Sequence, residues 1–374
     1  MVEAAPAAPP VEKSEGFPKK IAIAKKGYLQ IGALAQAWYF YERADALAVD
    51  ADSGKTVSSA NYFRIRRAQL KLSGAIVPDA VEFLVLADFA KTLKGTSSQV
   101  TGADGEPTKL SYYGSGQDSS PLLDFNFTLK SEYVDFTMGQ WKSPISYEAG
   151  TSSAELIFPE RSHASRYFGD NYDLGVKLEK KLKYVKYSLQ VLQGNTANTI
   201  DNNKQKELAL RLEFYPIDGL FVGGAGLASV GQRDTQRSTR EVVEVDAGYD
   251  KDGVLLRGEM LWGKKGPSND NVDRVSSRGM SVTAAYTIAK TIQPAFRFGM
   301  LDVDQELDPA DLPLVAKFNF KTDTVRSYEF GLNYFIEGKN AKLMAAYGYL
   351  DFDSVPNVTF NPRHQVTLAA QFAY

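Results

Sequence analysis

The chain has no cysteine and only two histidines in 374 residues. Without thiols there is no disulfide framework, no thiolate nucleophile and no cysteine-based zinc site. His163 and His364 alone supply neither a histidine-rich metal centre nor a convincing triad. Long apolar runs are missing as well: no stretch approaches the roughly 20 apolar residues that a membrane-spanning helix requires. That excludes helical insertion but leaves a barrel open, because a barrel strand needs only about every second residue to be apolar. A surplus of positive charge is also lacking. A net charge of -2 and a pI near 5.9 leave nothing to neutralise phosphates, so no nucleic-acid partner is expected. Residues 51–56 (ADSGKT) lack the upstream glycine of a phosphate-binding loop and join no strand to a helix. Neither an enzyme nor a metal or cofactor is expected.

What is present favours strands. Aromatics reach 12%, with 20 Tyr and 21 Phe, and the 30 Gly suit turns. The opening MVEAAPAAPPVEKSEG has no apolar core segment and reads as a mature N-terminus left after leader removal, with a cytoplasmic start as the alternative. Residues 1–26, rich in Ala and Pro and then in Lys, are expected to form a flexible arm.

From Gly27 onward one pattern recurs. Leu123, Phe125, Phe127 and Leu129 alternate with Asp124, Asn126, Thr128 and Lys130. Strand pleating puts those two sets on opposite faces. Leu208, Leu210, Leu212 and Phe214 repeat the pattern against Ala209, Arg211 and Glu213. About sixteen such segments begin near Tyr28, Tyr62, Ala80, Leu122, Tyr133, Asp173, Tyr184, Glu207, Leu220, Val242, Val254, Gly279, Ile292, Ser327, Ala341 and His364. The segment from Leu220 is the weakest, since the glycines of FVGGAG blur its faces and point to close packing or curvature.

The connections alternate between long and short. Long loops are expected at 42–60, 91–121, 143–171, 194–205, 231–241, 264–277, 304–324 and 351–363, and short turns at 77–79, 131–132, 181–183, 216–219, 250–253, 289–291 and 337–340. A soluble sandwich has no reason to sort its loops this way. An outer-membrane barrel does, with short periplasmic turns and long extracellular loops. The expected fold is therefore all-β: a closed antiparallel transmembrane barrel in the outer membrane of a Gram-negative bacterium. Tyr133, Tyr215, Tyr249, Trp262, Tyr286, Tyr334, Tyr349 and Tyr374 fall near strand ends, where interfacial girdles form. Tyr374, with Phe372 and Ala370 on its face, looks like the terminal signal read by outer-membrane assembly machinery.

Several runs carry a family likeness. YFRIRRAQLKLSG from Tyr62 and the following VEFLVLADF resemble the second and third strands of the phosphate-selective porin O and P family. VDFTMGQWKSPIS from Val134, ELIFPERSHASR from Glu155, LLRGEMLWGKK from Leu255 and GLNYFIEGKNAKLMAAYGY from Gly331 are similar to the family's later segments. The resemblance implies a homotrimer of sixteen-stranded barrels embedded in outer-membrane lipid and lipopolysaccharide. It also implies a third loop, 143–171, folded inward to narrow the pore. Arg66, Arg67 and the segment from Lys142 to Ser146, with Arg161 in the loop, become constriction candidates. Arg233, Arg237 and Arg240 would be a thin version of the arginine ladder of phosphate-selective members, weakened by Asp234 and Glu241, and Lys25 and Lys26 could join a periplasmic lysine cluster.

Taking the more apolar face as lipid-facing gives an independent lumen map. It puts Arg67, Lys71, Lys130, Lys177, Lys186, Arg211, Arg257, Arg297 and Lys342 inside, with Glu82, Asp88, Asp124, Asp135, Glu179, Glu213, Glu244, Asp246, Glu259 and Glu329. The lining is wet and mixed, whereas a strong ion selector carries a one-signed ring. The expected function is passive diffusion of small hydrophilic solutes and ions. An anion- or phosphate-selective porin is the first alternative. A barrel acting as adhesin, phage receptor or scaffold is the second, and a soluble all-β binding protein the third.

Overall fold

Two-residue alternation, carried through a chain with few helix-forming stretches, leaves the backbone one way to satisfy its hydrogen bonds beside lipid: strand against strand until the sheet closes. The computed structural model describes residues 21–23, 27–50, 56–92, 96–101, 107–112, 120–200, 204–230, 238–267, 274–303, 324–353 and 361–374. Its strands are β1 (Ile21–Ile23), β2 (Gly27–Asp50), β3 (Thr56–Val77), β4 (Val81–Asp88), β5 (Thr96–Thr101), β6 (Pro107–Tyr112), β7 (Leu122–Leu129), β8 (Asp135–Lys142), β9 (Tyr172–Lys181) and β10 (Val185–Leu192). They continue as β11 (Lys206–Phe214), β12 (Leu220–Val230), β13 (Ser238–Lys251), β14 (Val254–Pro267), β15 (Val275–Tyr286), β16 (Ile292–Asp302), β17 (Thr324–Glu337), β18 (Ala341–Phe352) and β19 (Arg363–Ala373). Two short helices, α1 (Tyr147–Gly150) and α2 (His163–Phe168), lie between β8 and β9.

Sixteen of the strands, β2–β4 and β7–β19, form a closed antiparallel barrel. β4 skips the β5–β6 hairpin to pair with β7, with Phe83 opposite Phe127. Closure comes from β19 against β2, with Leu368 opposite Tyr39, and the final residue joins the seam: Tyr374 N donates to Ala33 O at 2.8 Å. Left-handed backbone makes the tight turns, as at Asp79 (φ 63°) between β3 and β4 and Asp252–Gly253 (φ 53° and 83°) between β13 and β14.

The face assignment holds along the wall. Phe125, Phe127, Leu129, Leu208, Leu210, Leu212, Val243 and Val245 are exposed outward, and the polar residues between them point into the lumen. Tyr133, Trp262, Tyr286, Tyr334 and Tyr374 are exposed as a girdle requires, but Tyr215 is not part of it: its hydroxyl donates to the lumenal Glu213.

Two loop expectations need correction. The excursion at 42–60 is largely strand, since β2 and β3 stay paired above the rim with Ala48 opposite Val57. The excursion at 91–121 carries the β5–β6 hairpin, which docks on β2 through Val49 and Thr101. Of the expected arm, Ile21–Ile23 forms a short strand against β2, Ile21 opposite Leu29. The rest, including Lys25 and Lys26, lies outside the described residues.

Candidate functional site: the constriction

The segment between β8 and β9 turns inward and runs around the inside of the wall. Pro144 O accepts from Arg211 of β11 at 3.4 Å, and Ser146 and Tyr147 N–H groups donate to Glu244 of β13 at 2.7 and 2.8 Å. Ser146 Oγ donates to Glu259 of β14 at 2.9 Å, and Tyr167 Oη meets Ser277 of β15 at 3.1 Å. Further round, Ala154 O, Leu156 O and Ile157 O accept from Gln371 of β19, Lys342 of β18 and Asn333 of β17, at 2.9, 2.7 and 2.9 Å. Gln36 of β2 reaches Ser153 O at 3.4 Å. These bonds run from β11 round to β2, Arg67 of β3 adds one to Pro159 O at 3.2 Å, and the loop meets the end of β8 through Lys142, so the rest of β4 and β7–β10 is left to water.

Apolar contact holds the loop as firmly as the hydrogen bonds do. Ile145, Ala164 and Phe168 are buried against Leu227, Val242, Leu261, Leu301, Val325 and Leu350, which are inward-facing residues of β12–β18. Burying a side chain such as Phe168 is worth about 1.5–3 kcal/mol. The wall makes room with glycine: a Cβ on Gly279 would stand 2.7 Å from Ala164 Cβ, and one on Gly263 2.7 Å from Phe168 Cε1. Local caps shape the helices. Ser146, at φ 65°, caps α1 by accepting from Ala149 N, and Ser162 caps α2 through Ser165 N at 3.2 Å.

Three loop carboxylates each meet wall cations. Glu148 pairs with Arg297 of β16 at 2.7 Å, and Arg297 also holds Glu329 at 2.7 Å. Glu160 pairs with Arg66 at 2.5 Å and Arg67 at 3.0 Å, both on β3. Asp170 pairs with Lys142 of β8 at 2.8 Å, and Lys142 also donates to Ala149 O at 2.9 Å. Burial alone would raise the Glu160 carboxyl, yet Arg66, Arg67, Arg166 and Arg161 hold it well below the usual carboxylate range. For Asp170, burial acts the same way and Lys142 and Arg161 outweigh it, so this group too stays ionised far into acid.

Two adjacent residues of one strand normally face opposite ways. Arg66 and Arg67 both face inward because β3 carries a bulge: Gln36 opposes Arg67 and Ala37 opposes Ile65, which leaves Arg66 as the extra residue. Asp88, at the end of β4, accepts from Ala68 N at 3.0 Å and Gln69 Nε2 at 3.1 Å. Asp88 therefore supports the wall beside the bulge and is not a free lining group.

Other expected residues divide into two sets. Lys71 and Asp124 face the open side, and Glu82 does so beside Lys130, 3.7 Å away. Arg211 and Arg297 are inward but lie behind the loop, buried and paired. Arg211 holds Glu213, Glu244 and Asp246 at 2.7, 3.2 and 2.9 Å, because a guanidinium shut off from water needs all its donors satisfied. Arg257 lies over the Tyr147 ring at 5.6 Å, also behind the loop. Arg161 is turned into the loop, donating to Glu148 O at 3.1 Å and Thr151 O at 2.6 Å. Arg240 of β13 pairs with Glu207 of β11 at 3.2 Å, and Arg233 and Arg237 lie outside the described residues. Glu148, Glu160 and Asp170 were missed in the lumen map, which covered strands only. Their signal in the sequence is a loop carrying Glu148, Glu155, Glu160 and Asp170 between wall strands that supply Arg and Lys.

A closed sixteen-stranded wall, oily outside, with one loop folded into a polar lumen is the architecture of an outer-membrane porin. The family model of phosphate-selective porin O and P matches residues 34–249, and the chain belongs to that family. No curated protein sequence matches it. Among solved structures it is similar to the anion-selective porin from Comamonas acidovorans, at 11% identity over 93% of this chain and 100% of that one, TM-score 0.59. It is similar also to the outer-membrane channel DcaP of Acinetobacter baumannii, at 13% identity over 93% and 97%, TM-score 0.59. OmpF of Salmonella typhi, solved with daunomycin, aligns at 16% identity over 92% and 98%, TM-score 0.60.

Proposed function

We propose that this porin is a general diffusion channel for small hydrophilic solutes and ions, with at most a modest ion preference. One observation carries the reading: at the constriction each loop carboxylate neutralises a wall cation, Glu148 with Arg297, Glu160 with Arg66 and Arg67, and Asp170 with Lys142. Strong selectors present a ring of one sign at their narrowest point. Here solutes pass a nearly balanced rim and, across the water, Lys71 and Asp124. The chain is organised as an arm over 1–26 and a barrel over 27–374, with 143–171 as the constricting loop. It works as a homotrimer in contact with outer-membrane lipid and lipopolysaccharide. OmpT of Vibrio cholerae, which has a similar fold, is described in a trimer form.

A second reading, selectivity for anions or phosphate, is favoured by the family to which the chain belongs and by the grouping of Arg64, Arg66 and Arg67 on one strand. Planar-bilayer recordings separate the two. A diffusion pore gives open-channel current with a reversal potential near zero in a KCl gradient, whereas a selector gives one far from zero that falls back when charge is removed at Arg67, Lys142 or Arg240. A strongly chloride-selective reversal potential would replace the first reading with the second. Absence of any ion flux would favour an adhesin, receptor or scaffold.

A further inference from the structure

We propose that Glu160 is a built-in counter-ion occupying an anion pocket of the barrel wall, and that this one carboxylate sets the pore's ion preference. The inference rests on the diffusion reading only for its electrical consequence, because the pocket itself is a matter of geometry.

Both carboxylate oxygens of Glu160 are engaged. Oε2 accepts from Arg66 Nε at 2.6 Å and lies 2.5 Å from its terminal nitrogen, while Oε1 is 3.0 Å from Arg67. Two Arg66 nitrogens converge on one oxygen and Arg67 takes the other, so charge-assisted hydrogen bonds reach both oxygens of the carboxylate. The pocket is braced independently of Glu160. Arg67 also donates to Gln36 Oε1 at 2.5 Å and Pro159 O at 3.2 Å, and Gln36 donates to Gln371 across the barrel seam at 2.6 Å. The bulge that turns both guanidiniums inward is a backbone feature, secured by Asp88 on Ala68 N. Arg67 is buried, with 2% of its side chain exposed, whereas Arg66 and Glu160 keep 24% and 19% open to the lumen. Glu160 is thus the carboxylate paired directly with Arg66 and Arg67, Arg161 and Arg166 add to the positive charge around it, and the exposed edge of the pocket is formed by Arg66 and Glu160 themselves.

Removing the carboxylate should unmask the pair. In bilayers, Glu160→Gln keeps the side-chain volume and should raise chloride permeability relative to potassium roughly fivefold, the effect of one unit charge a few ångströms from the ion path. Adding Arg66→Gln to Glu160→Gln should cancel that rise. Glu160→Ala leaves a space the size of a small carboxylate, so millimolar acetate should return its selectivity toward wild type. Binding can be read without current. Trp38 lies 5.7 Å from the Arg66 guanidinium, so its emission in detergent-solubilised Glu160→Ala should respond saturably to acetate, while the wild type stays unresponsive.

A Glu160→Gln pore that conducts more but gains no chloride preference would overturn the proposal, because Glu160 would then merely pin the loop. Unchanged selectivity, or an acetate-blind Glu160→Ala, would overturn it equally. A wild type without current but with an acetate-responsive Glu160→Ala would count against the diffusion reading and leave the pocket standing.

Discussion

Arg297 shows what a single lumenal residue contributes. Its guanidinium, 2% exposed, bridges Glu148 of the loop and Glu329 of β17 and donates to Glu160 O at 3.0 Å, with its face over Phe158. Replacing it by Met keeps the packing but leaves two carboxylates facing each other without a cation. Loss of one partner from a buried pair costs about 3–5 kcal/mol, and here the lower end applies because both acids keep some access to water. Arg297→Met barrels are thus expected to lose their compact, heat-modifiable migration on gels at a clearly lower temperature than wild type; equal temperatures would mean that the triad adds nothing. His163 gives a second residue-scale expectation. Burial, reinforced by Arg166 and Arg297, pushes its imidazole down from the ordinary 6.5 to about 3. An unfolded chain takes up that proton as the pH drops through 6.5, but the folded loop does not until about 3, so this residue's contribution favours folding less and less as the pH falls across that window. His163→Asn should show a shallower loss of stability between these limits than wild type, with the Glu160 and Asp170 contributions common to both. Identical slopes would mean that the folded loop accommodates a charged imidazole.

Among the elements, α2 and its seat illustrate which parts of the structure could be read in advance. Alternation along β7, β11 or β13 is a local signal, visible within ten residues, and it gave the two faces of the wall and most strand starts, although β3, β13, β15 and β17 begin earlier, at Thr56, Ser238, Val275 and Thr324. The seat is not local. Inward-facing Leu261, Leu301 and Val325 break the polar-inside pattern because Phe168 and Ile145, far away in sequence, cover them. Likewise Gly263 and Gly279 read as weak strand residues until α2 is placed on them. The bulge at Arg66 was hidden for a similar reason, since a register shift shows only when both strands are paired. Overfilling a tight contact typically costs 1–3 kcal/mol. Gly279→Val, whose Cβ would meet Ala164 at 2.7 Å, should therefore push α2 off the wall and change single-channel conductance. Gly150→Ala, at the end of α1 with nothing within 4 Å of the new methyl, should leave conductance as it was. If both variants conduct like wild type, α2 does not depend on the glycine seat.

For the molecule as a whole, the sequence disclosed the closed wall and the side from which long loops emerge, because lipid imposes its demand on every strand alike. It could not disclose where charge is left unpaired in the lumen, since that depends on which strands the 143–171 loop covers. The open side, β4 and β7–β10, is also where the two-solvent design can be tested most directly. Leu84 and Val85 are neighbours on β4; Leu84 opposes the lumenal Asn126 and Val85 opposes the outward Phe125. Near the bilayer midplane an arginine facing lipid costs about 2–4 kcal/mol, whereas one facing water costs little. Val85→Arg should accordingly reduce the amount of folded, heat-modifiable barrel recovered from the outer membrane, and Leu84→Arg should fold near wild-type yield while adding a positive charge to the water path. The two variants differ by one position and carry the same new side chain, so composition, expression load and assembly signal cancel in the comparison. Equal yields would mean that the two faces of β4 do not meet different solvents, and the assignment of the open side to β4 and β7–β10 would have to be abandoned.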